Sequence, residues 1–314
     1  MEPVLTCTGL AKAYGKHLAL EPLDWEVHRG GVVAILGRNG SCKSTLIRLV
    51  MGLEAPTAGG STLLGCPSTE LTPEIRERVG YLIEGHPTHT HLRVRQLAAS
   101  EADLHPRFEA SILDRVLDHF RIEPEQKAGS LSRGQRGGLM LGLALAAQPE
   151  LLVMDDPTLG LDPVAKRALR EALLFTTRDP GRTVVIATHD LADVERLADR
   201  VAVFDRGSLR AWCSTEVLGE RVLRVRVSAV DGSFTDEAFG HVPGLLTGRI
   251  DPGGSEAELM IVTPSEAGLD EEQEDALDRL GRVEAVVQPG FEAAAMAYLE
   301  EGPVSEGFLA GVAS

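Results

Sequence analysis

Residues 37–45 read Gly37-Arg38-Asn39-Gly40-Ser41-Cys42-Lys43-Ser44-Thr45, a glycine- and hydroxyl-rich turn ending in a lysine. An apolar run at 32–36 precedes it and the helical pattern Leu46-Ile47-Arg48-Leu49-Val50-Met51 follows it. That strand–loop–helix setting is what a phosphate-binding loop needs. Successive backbone N–H groups in the turn, with the positive end of the next helix, cradle phosphate oxygens. Lys43 then reaches the outer phosphates and the Ser44 hydroxyl holds a magnesium ion. The expected ligand is a nucleoside triphosphate. Cys42 stands where such a loop requires its second glycine.

A second chemical group lies in Leu151-Leu152-Val153-Met154-Asp155-Asp156-Pro157. A carboxylate at the carboxyl end of a buried strand is placed to bind magnesium, so Asp155 takes that role. Asp156, one residue on, faces the γ-phosphate and orients an attacking water. The plainer alternative is two aspartates opening a turn. Leu131-Ser132-Arg133-Gly134-Gln135 precedes a helical stretch at 139–147 and offers a second anion site at a helix N-terminus. Taken alone, a capped helix start is the better reading.

The rest of the chain must position these groups. Its 314 residues have room for two domains, and 43% hydrophobic with 25% charged residues is ordinary for a globular protein. A net charge of −16 would repel a phosphate backbone, so no nucleic-acid partner is expected. No apolar run approaches the ~18–20 residues that span a bilayer. The opening Met1-Glu2-Pro3-Val4 lacks a basic segment followed by a hydrophobic one, so no signal peptide is expected. Cys7, Cys42, Cys66 and Cys213 show no metal-type pairing and suit a reducing cytosol. A membrane role would come through a partner.

Along the chain, residues 3–35 alternate apolar segments with turn signals at Tyr14-Gly15-Lys16 and His28-Arg29-Gly30-Gly31, which predicts hairpin strands. Helical periodicity covers roughly 92–128, with Ile112, Leu113, Val116, Leu117 and Phe120 on one stripe. Buried strands at 151–154 and 183–187 flank a helix over 163–177, and such alternation implies a mostly parallel sheet. Character changes near Gly219. Strand, turn, strand, charged helix, strand and a final helix from Phe291 predict a small α+β domain without a catalytic constellation.

Together these motifs resemble the ATP-binding subunit of an ABC transporter, over residues 3 to about 218. Residues 37–45 look like the Walker A loop, 131–135 the signature motif, and 154–157 the end of Walker B. Leu161-Asp162-Pro163 resembles the D-loop, His189 the switch histidine, and Tyr14 the aromatic that stacks adenine, although hairpin packing explains Tyr14 equally well. The resemblance implies a P-loop NTPase (RecA-like) α/β core with antiparallel β and helical subdomains in 1–218, and an accessory domain in 219–314. It implies ATP and Mg2+ as ligands, with Ser44, Glu84 and Asp155 at the metal and Asp156, His189 and Lys43 in catalysis. It also implies head-to-tail pairing, as a homodimer or with another ABC ATPase subunit. Each ATP would lie between one chain's Walker A loop and the other's Leu131, Ser132, Arg133, Gly134, Gln135 and Asp162. An integral membrane permease completes such an assembly on the cytoplasmic face of the membrane. The strand–helix order ending at 291–299 loosely resembles the extension of ABC-2-type exporter ATPases.

Several positions depart from the family pattern. If the Cys42 site needs φ > 0, its side chain costs about 1–3 kcal/mol. Weakened ATP affinity is the expected consequence, with Cys42→Gly tightening binding; a reactive thiol of lowered pKa beside Lys43 is the alternative. Asp156 replaces the usual glutamate, one methylene shorter, which predicts slow but nonzero hydrolysis. Glu84 stands where glutamine is usual and marks a subtype. Arg133 fills a variable position. His86, His89 and His91 read as a permease-facing segment in preference to a zinc site. The competing functions are a non-transport ATP switch and a near-inactive half of a heterodimer.

Overall fold

The computed structural model describes residues 2–159, 161, 163–176, 179–230, 232–265 and 268–300. Two compact units emerge. The first runs to Ile35 and resumes over Asn39–His189; the second holds Leu36–Arg38 and continues from Asp190.

In the first unit, β1 (Pro3–Tyr14) and β2 (His17–His28) form a long antiparallel hairpin. Its two-residue turn has Gly15 at φ +61° and sets Tyr14 opposite His17. β3 (Gly31–Gly37) then leads through the glycine-rich loop to α1 (Lys43–Val50). β4 (Ala58–Leu63) and the two-residue β5 (Cys66–Pro67) extend the hairpin sheet in the order β2-β1-β4-β5. A one-turn α2 (Pro73–Arg76) precedes β6 (Val79–Leu82).

Three helices build a separate layer: α3 (Val94–Leu104), α4 (Ala110–Phe120) and α5 (Arg133–Ala146). Val94, Leu113, Leu117, Leu139 and Leu143 are buried there. Gly138 and Gly142 let α4 lie close on α5, since a Cβ on Gly138 would sit 2.4 Å from the Phe120 ring. Helix α5 starts earlier than the predicted 139, because Ser132 and Gln135 form a reciprocal cap. Gly134, Gly137 and Gly138 weaken the helical signal of its first two turns.

β7 (Leu151–Asp155), α6 (Pro163–Thr176) and β8 (Thr183–Thr188) complete the unit. Its strands lie in the order β3-β8-β7-β6, with β6, β7 and β8 paired parallel. Every residue of β7 and of β8 is buried, as unbroken apolar runs in a parallel sheet require. At the starting ends of β6 and β7, Glu150 accepts from Arg78 at 2.8 and 2.9 Å and from Arg29 at 3.1 Å. The Arg78 guanidinium first, then Arg29, holds the Glu150 carboxyl down at about 2.

The second unit begins with α7 (Leu191–Leu197), the antiparallel pair β9 (Arg200–Asp205) and β10 (Ser208–Ser214), and α8 (Thr215–Glu220). β11 (Val222–Ser228), β12 (Leu245–Ile250), β13 (Glu256–Val262), α9 (Glu271–Leu280) and β14 (Arg282–Val287) follow. The sheet order is β12-β13-β11-β14, all antiparallel. One face carries Leu223, Val225, Val227, Leu259 and Ile261 into a core closed by Leu277 of α9. A last helix, α10 (Phe291–Leu299), packs on α7, α8 and β9. Among the described residues no helix is long and apolar enough to cross a membrane.

Candidate functional site

A cavity of about 560 Å³ opens beside the N-terminus of α1, at the carboxyl ends of the parallel strands. Asn39, Gly40, Cys42, Lys43, Ser44, Thr45, Glu84, Asp155, Asp156 and His189 all line it, and so does Tyr14. The loop turns through Gly40 at φ +84° and Cys42 at φ +85°, both left-handed. Cys42 caps α1 through its backbone only. The steric condition for strain at this position is therefore met. Its thiol is buried and lines the cavity, and burial pushes its pKa up to about 12 against the opposing pull of Lys43. That corrects the alternative of a lowered thiol pKa: desolvation outweighs the neighbouring ammonium.

Lys43 is itself buried, which lowers its pKa from the ordinary value, while Asp156 and Asp155 pull it back. Ser44 donates from Oγ to Asp155 Oδ1 at 3.1 Å. Burial chiefly raises the Asp155 pKa, and the carboxylates of Glu84 and Asp156 add to it. Three oxygen-bearing side chains crowded with negative charge fit a hard divalent cation such as magnesium. Ser44, Asp155 and Glu84 would hold it, and it would neutralise charge on the phosphate oxygens.

Asp156 leaves β7 in a left-handed turn, φ +44°, with its N–H donating to Ala187 O at 2.8 Å. Aspartate is among the few residues that adopt this region readily. Its Oδ2 lies 2.7 Å from His189 Nδ1, so the two motifs meet directly. The Asp156 Oδ1 is buried and has no hydrogen-bond partner among the described residues.

Tyr14 is 45% exposed at the cavity's rim. His17 and Ala19 from β2, and Leu159, also line the cavity. Sequence reasoning missed these three, though a two-residue turn at Gly15-Lys16 was signal enough to put His17 beside Tyr14. Gly37, Arg38 and Ser41 belong to the loop but do not line the cavity.

The signature residues lie elsewhere. Ser132 Oγ accepts from Gln135 N at 3.2 Å, and Gln135 Oε1 accepts from Ser132 N at 3.1 Å. Leu131 is buried, Ser132 and Arg133 are exposed, and none of residues 131–135 lines the cavity. Asp162 lies outside the described residues. His86 is buried beside Gly137 of α5, with its pKa lowered by that burial, while His89 and His91 meet edge to face at 6.0 Å.

Comparison with known proteins bears on what this cavity holds. The sequence model of the ABC transporter family matches residues 20–159. The bacitracin transport ATP-binding protein BcrA of Bacillus licheniformis is 31% identical, over 67% of this chain and 69% of its own length. The Nod factor export ATP-binding protein I of Rhizobium etli is 30% identical over 82% of each chain. A solved ATP-binding subunit of an ABC transporter superposes with a TM-score of 0.63 at 27% identity, covering 68% of this chain and 91% of that one. A loop–helix cavity built for phosphates, on a fold and sequence shared with these proteins, has one reading: the chain belongs to the ABC transporter family and is one of its ATP-binding ATPase subunits.

Proposed function

We propose that this subunit powers a separate integral membrane permease, in the direction of export. The observation that carries the ATP-hydrolysing part of this reading is the convergence, in one cavity, of Lys43, the Ser44–Asp155 pair and the Asp156–His189 pair. Tyr14 stacks the adenine. Residues 37–45 hold the triphosphate, and Lys43 neutralises its outer oxygens. Ser44, Glu84 and Asp155 hold magnesium. Asp156 orients the attacking water, and His189 fixes the Asp156 carboxylate and faces the γ-phosphate.

The signature residues stand away from the cavity, so one chain carries half of each composite site. Ser132, Gly134 and Asp162 act on the nucleotide of a second copy or a relative, and ATP closes that pair. The region from 84 to about 100 passes closure to the permease, and residues from Gly219 onward form the accessory domain. Export is favoured by the Nod factor relative and by that domain's strand–helix order. Asp156 and Cys42 favour a second reading, a slow half of a heterodimer, whereas the −16 charge disfavours a nucleic-acid switch.

Light scattering on the Asp156→Asn variant tests the core claim. Millimolar Mg-ATP should convert monomer to dimer, and Ser132→Arg should abolish the shift. A monomer at saturating ATP overturns the reading.

A further inference from the structure

Tyr14 sits at the free end of the β1–β2 hairpin, where little of the sheet fixes its ring. A compact polar cluster does. Lys12 Nζ lies 5.1 Å from the Tyr14 ring centroid, 2.9 Å from Glu54 Oε1, and donates to Ala55 O at 2.8 Å. Glu54 Oε2 receives Arg48 Nε at 3.3 Å, and Arg48 Nη2 donates to Thr45 Oγ1 at 3.3 Å. Thr45 lines the nucleotide cavity, whereas Lys12, Arg48 and Glu54 do not. Close by, Thr57 N donates to Ala11 O at 2.8 Å and Ala13 N to Thr57 Oγ1 at 3.0 Å. The segment after α1 is thus laced to the last residues of β1.

We propose that Lys12, Glu54 and Arg48 form a clamp that positions the Tyr14 ring for the nucleotide base and ties it to α1, the helix that takes the phosphates. The inference rests on the reading of Tyr14 as the base platform. Lys12 occupies one side of the ring through a cation–π contact, so the cavity-facing side is the one left for a base. Glu54 fixes both cations at once. The Lys12 and Glu54 side chains are 14% and 22% exposed and Arg48 is 44% exposed, so the Lys12–Glu54 arm is partly sheltered while the Arg48 arm stands in solvent. The Lys12 ammonium first, then the Tyr14 hydroxyl, holds the Glu54 carboxyl down at about 2, so the clamp stays charged throughout the physiological range. None of the three touches substrate; they are positioning residues.

Calorimetry on the full chain with Mg-ATP and with inorganic tripolyphosphate separates base from phosphate binding. Tyr14→Ala should weaken ATP binding about 5- to 100-fold and leave tripolyphosphate within about twofold. Glu54→Gln should weaken ATP about two- to fivefold, again sparing tripolyphosphate, and should raise KM with kcat unchanged. Adding Glu54→Gln to Tyr14→Ala should cost nothing further, because the clamp acts only through that ring. If Tyr14→Ala weakens ATP but Glu54→Gln does not, the clamp is refuted and the base platform stands. Should Tyr14→Ala leave ATP binding unchanged, the platform reading fails and takes the clamp with it. Equal losses for ATP and tripolyphosphate in Glu54→Gln, or additive losses in the double variant, also overturn the proposal.

Discussion

Cys42 permits a prediction whose sign is diagnostic. At an ordinary loop position alanine is more stable than glycine by about 0.4–1 kcal/mol, because glycine gains more freedom on unfolding. At φ +85° the order should reverse. A Cβ in the left-handed region costs about 1–2 kcal/mol. Cys42→Ala keeps that cost and Cys42→Gly removes it. Both variants delete the buried sulfur, so its burial cancels in the comparison. The difference leaves glycine the more stable by about 0.5–1 kcal/mol. Urea unfolding measures it. The two tryptophans, Trp25 and Trp212, lie in different units, so a Trp212→Phe background leaves buried Trp25 to report on the unit carrying the loop. Alanine proving more stable than glycine would refute the strain argument. The same geometry corrects the link drawn from strain to weakened ATP affinity. Strain in the turn falls on folding, so any tighter ATP binding in Cys42→Gly comes from the sulfur leaving the cavity, and Cys42→Ala should reproduce it.

Other outcomes follow from the same structure. Asp156→Glu should raise phosphate release, by up to about 100-fold if the added methylene corrects ~1 Å of reach, less whatever glutamate loses in a left-handed turn. Unchanged turnover in a malachite green assay would count against the short reach of Asp156 as a limit on hydrolysis. Glu150→Gln should cost about 1–2 kcal/mol at pH 7, after discounting for solvent screening. The folded-state pKa is depressed, so the wild-type advantage is full above the usual carboxylate range and fades as pH falls through about 2. Parallel denaturation midpoints of the two proteins between pH 7 and about 2 should converge as acid is added; a constant gap would remove the ion-pair explanation. Gly138→Ala should destabilise the α4–α5 packing by about 1–3 kcal/mol through collision with the Phe120 ring, seen as a lower thermal midpoint.

Much of this was legible in the chain, for identifiable reasons. Residues 37–45 announce themselves because glycines and a lysine at fixed spacing have few other uses, and β7 and β8 because unbroken apolar runs between turns suit a parallel sheet. The φ at Cys42 was accessible only as a condition; sequence states the residue, whereas backbone conformation comes from the fold. The sign of its thiol pKa was misjudged as an alternative because adjacency to Lys43 is visible in a sequence and burial is not. The start of α5 was placed late since glycines mask a helix that its cap and packing maintain. The Lys12–Glu54–Arg48 cluster was invisible, as its members come from a strand, a loop and a helix with no shared period.

Strand β7 is five residues long, with Glu150 just before it and Asp155 closing it. The arginine-bound carboxylate and the carboxylate proposed for magnesium therefore lie at opposite tips of one short rod, roughly 17 Å apart at the usual rise per strand residue. Directed evolution for heat tolerance can rework the arginine-ringed tip, and a search for faster variants the acidic tip, with little interference between the two campaigns.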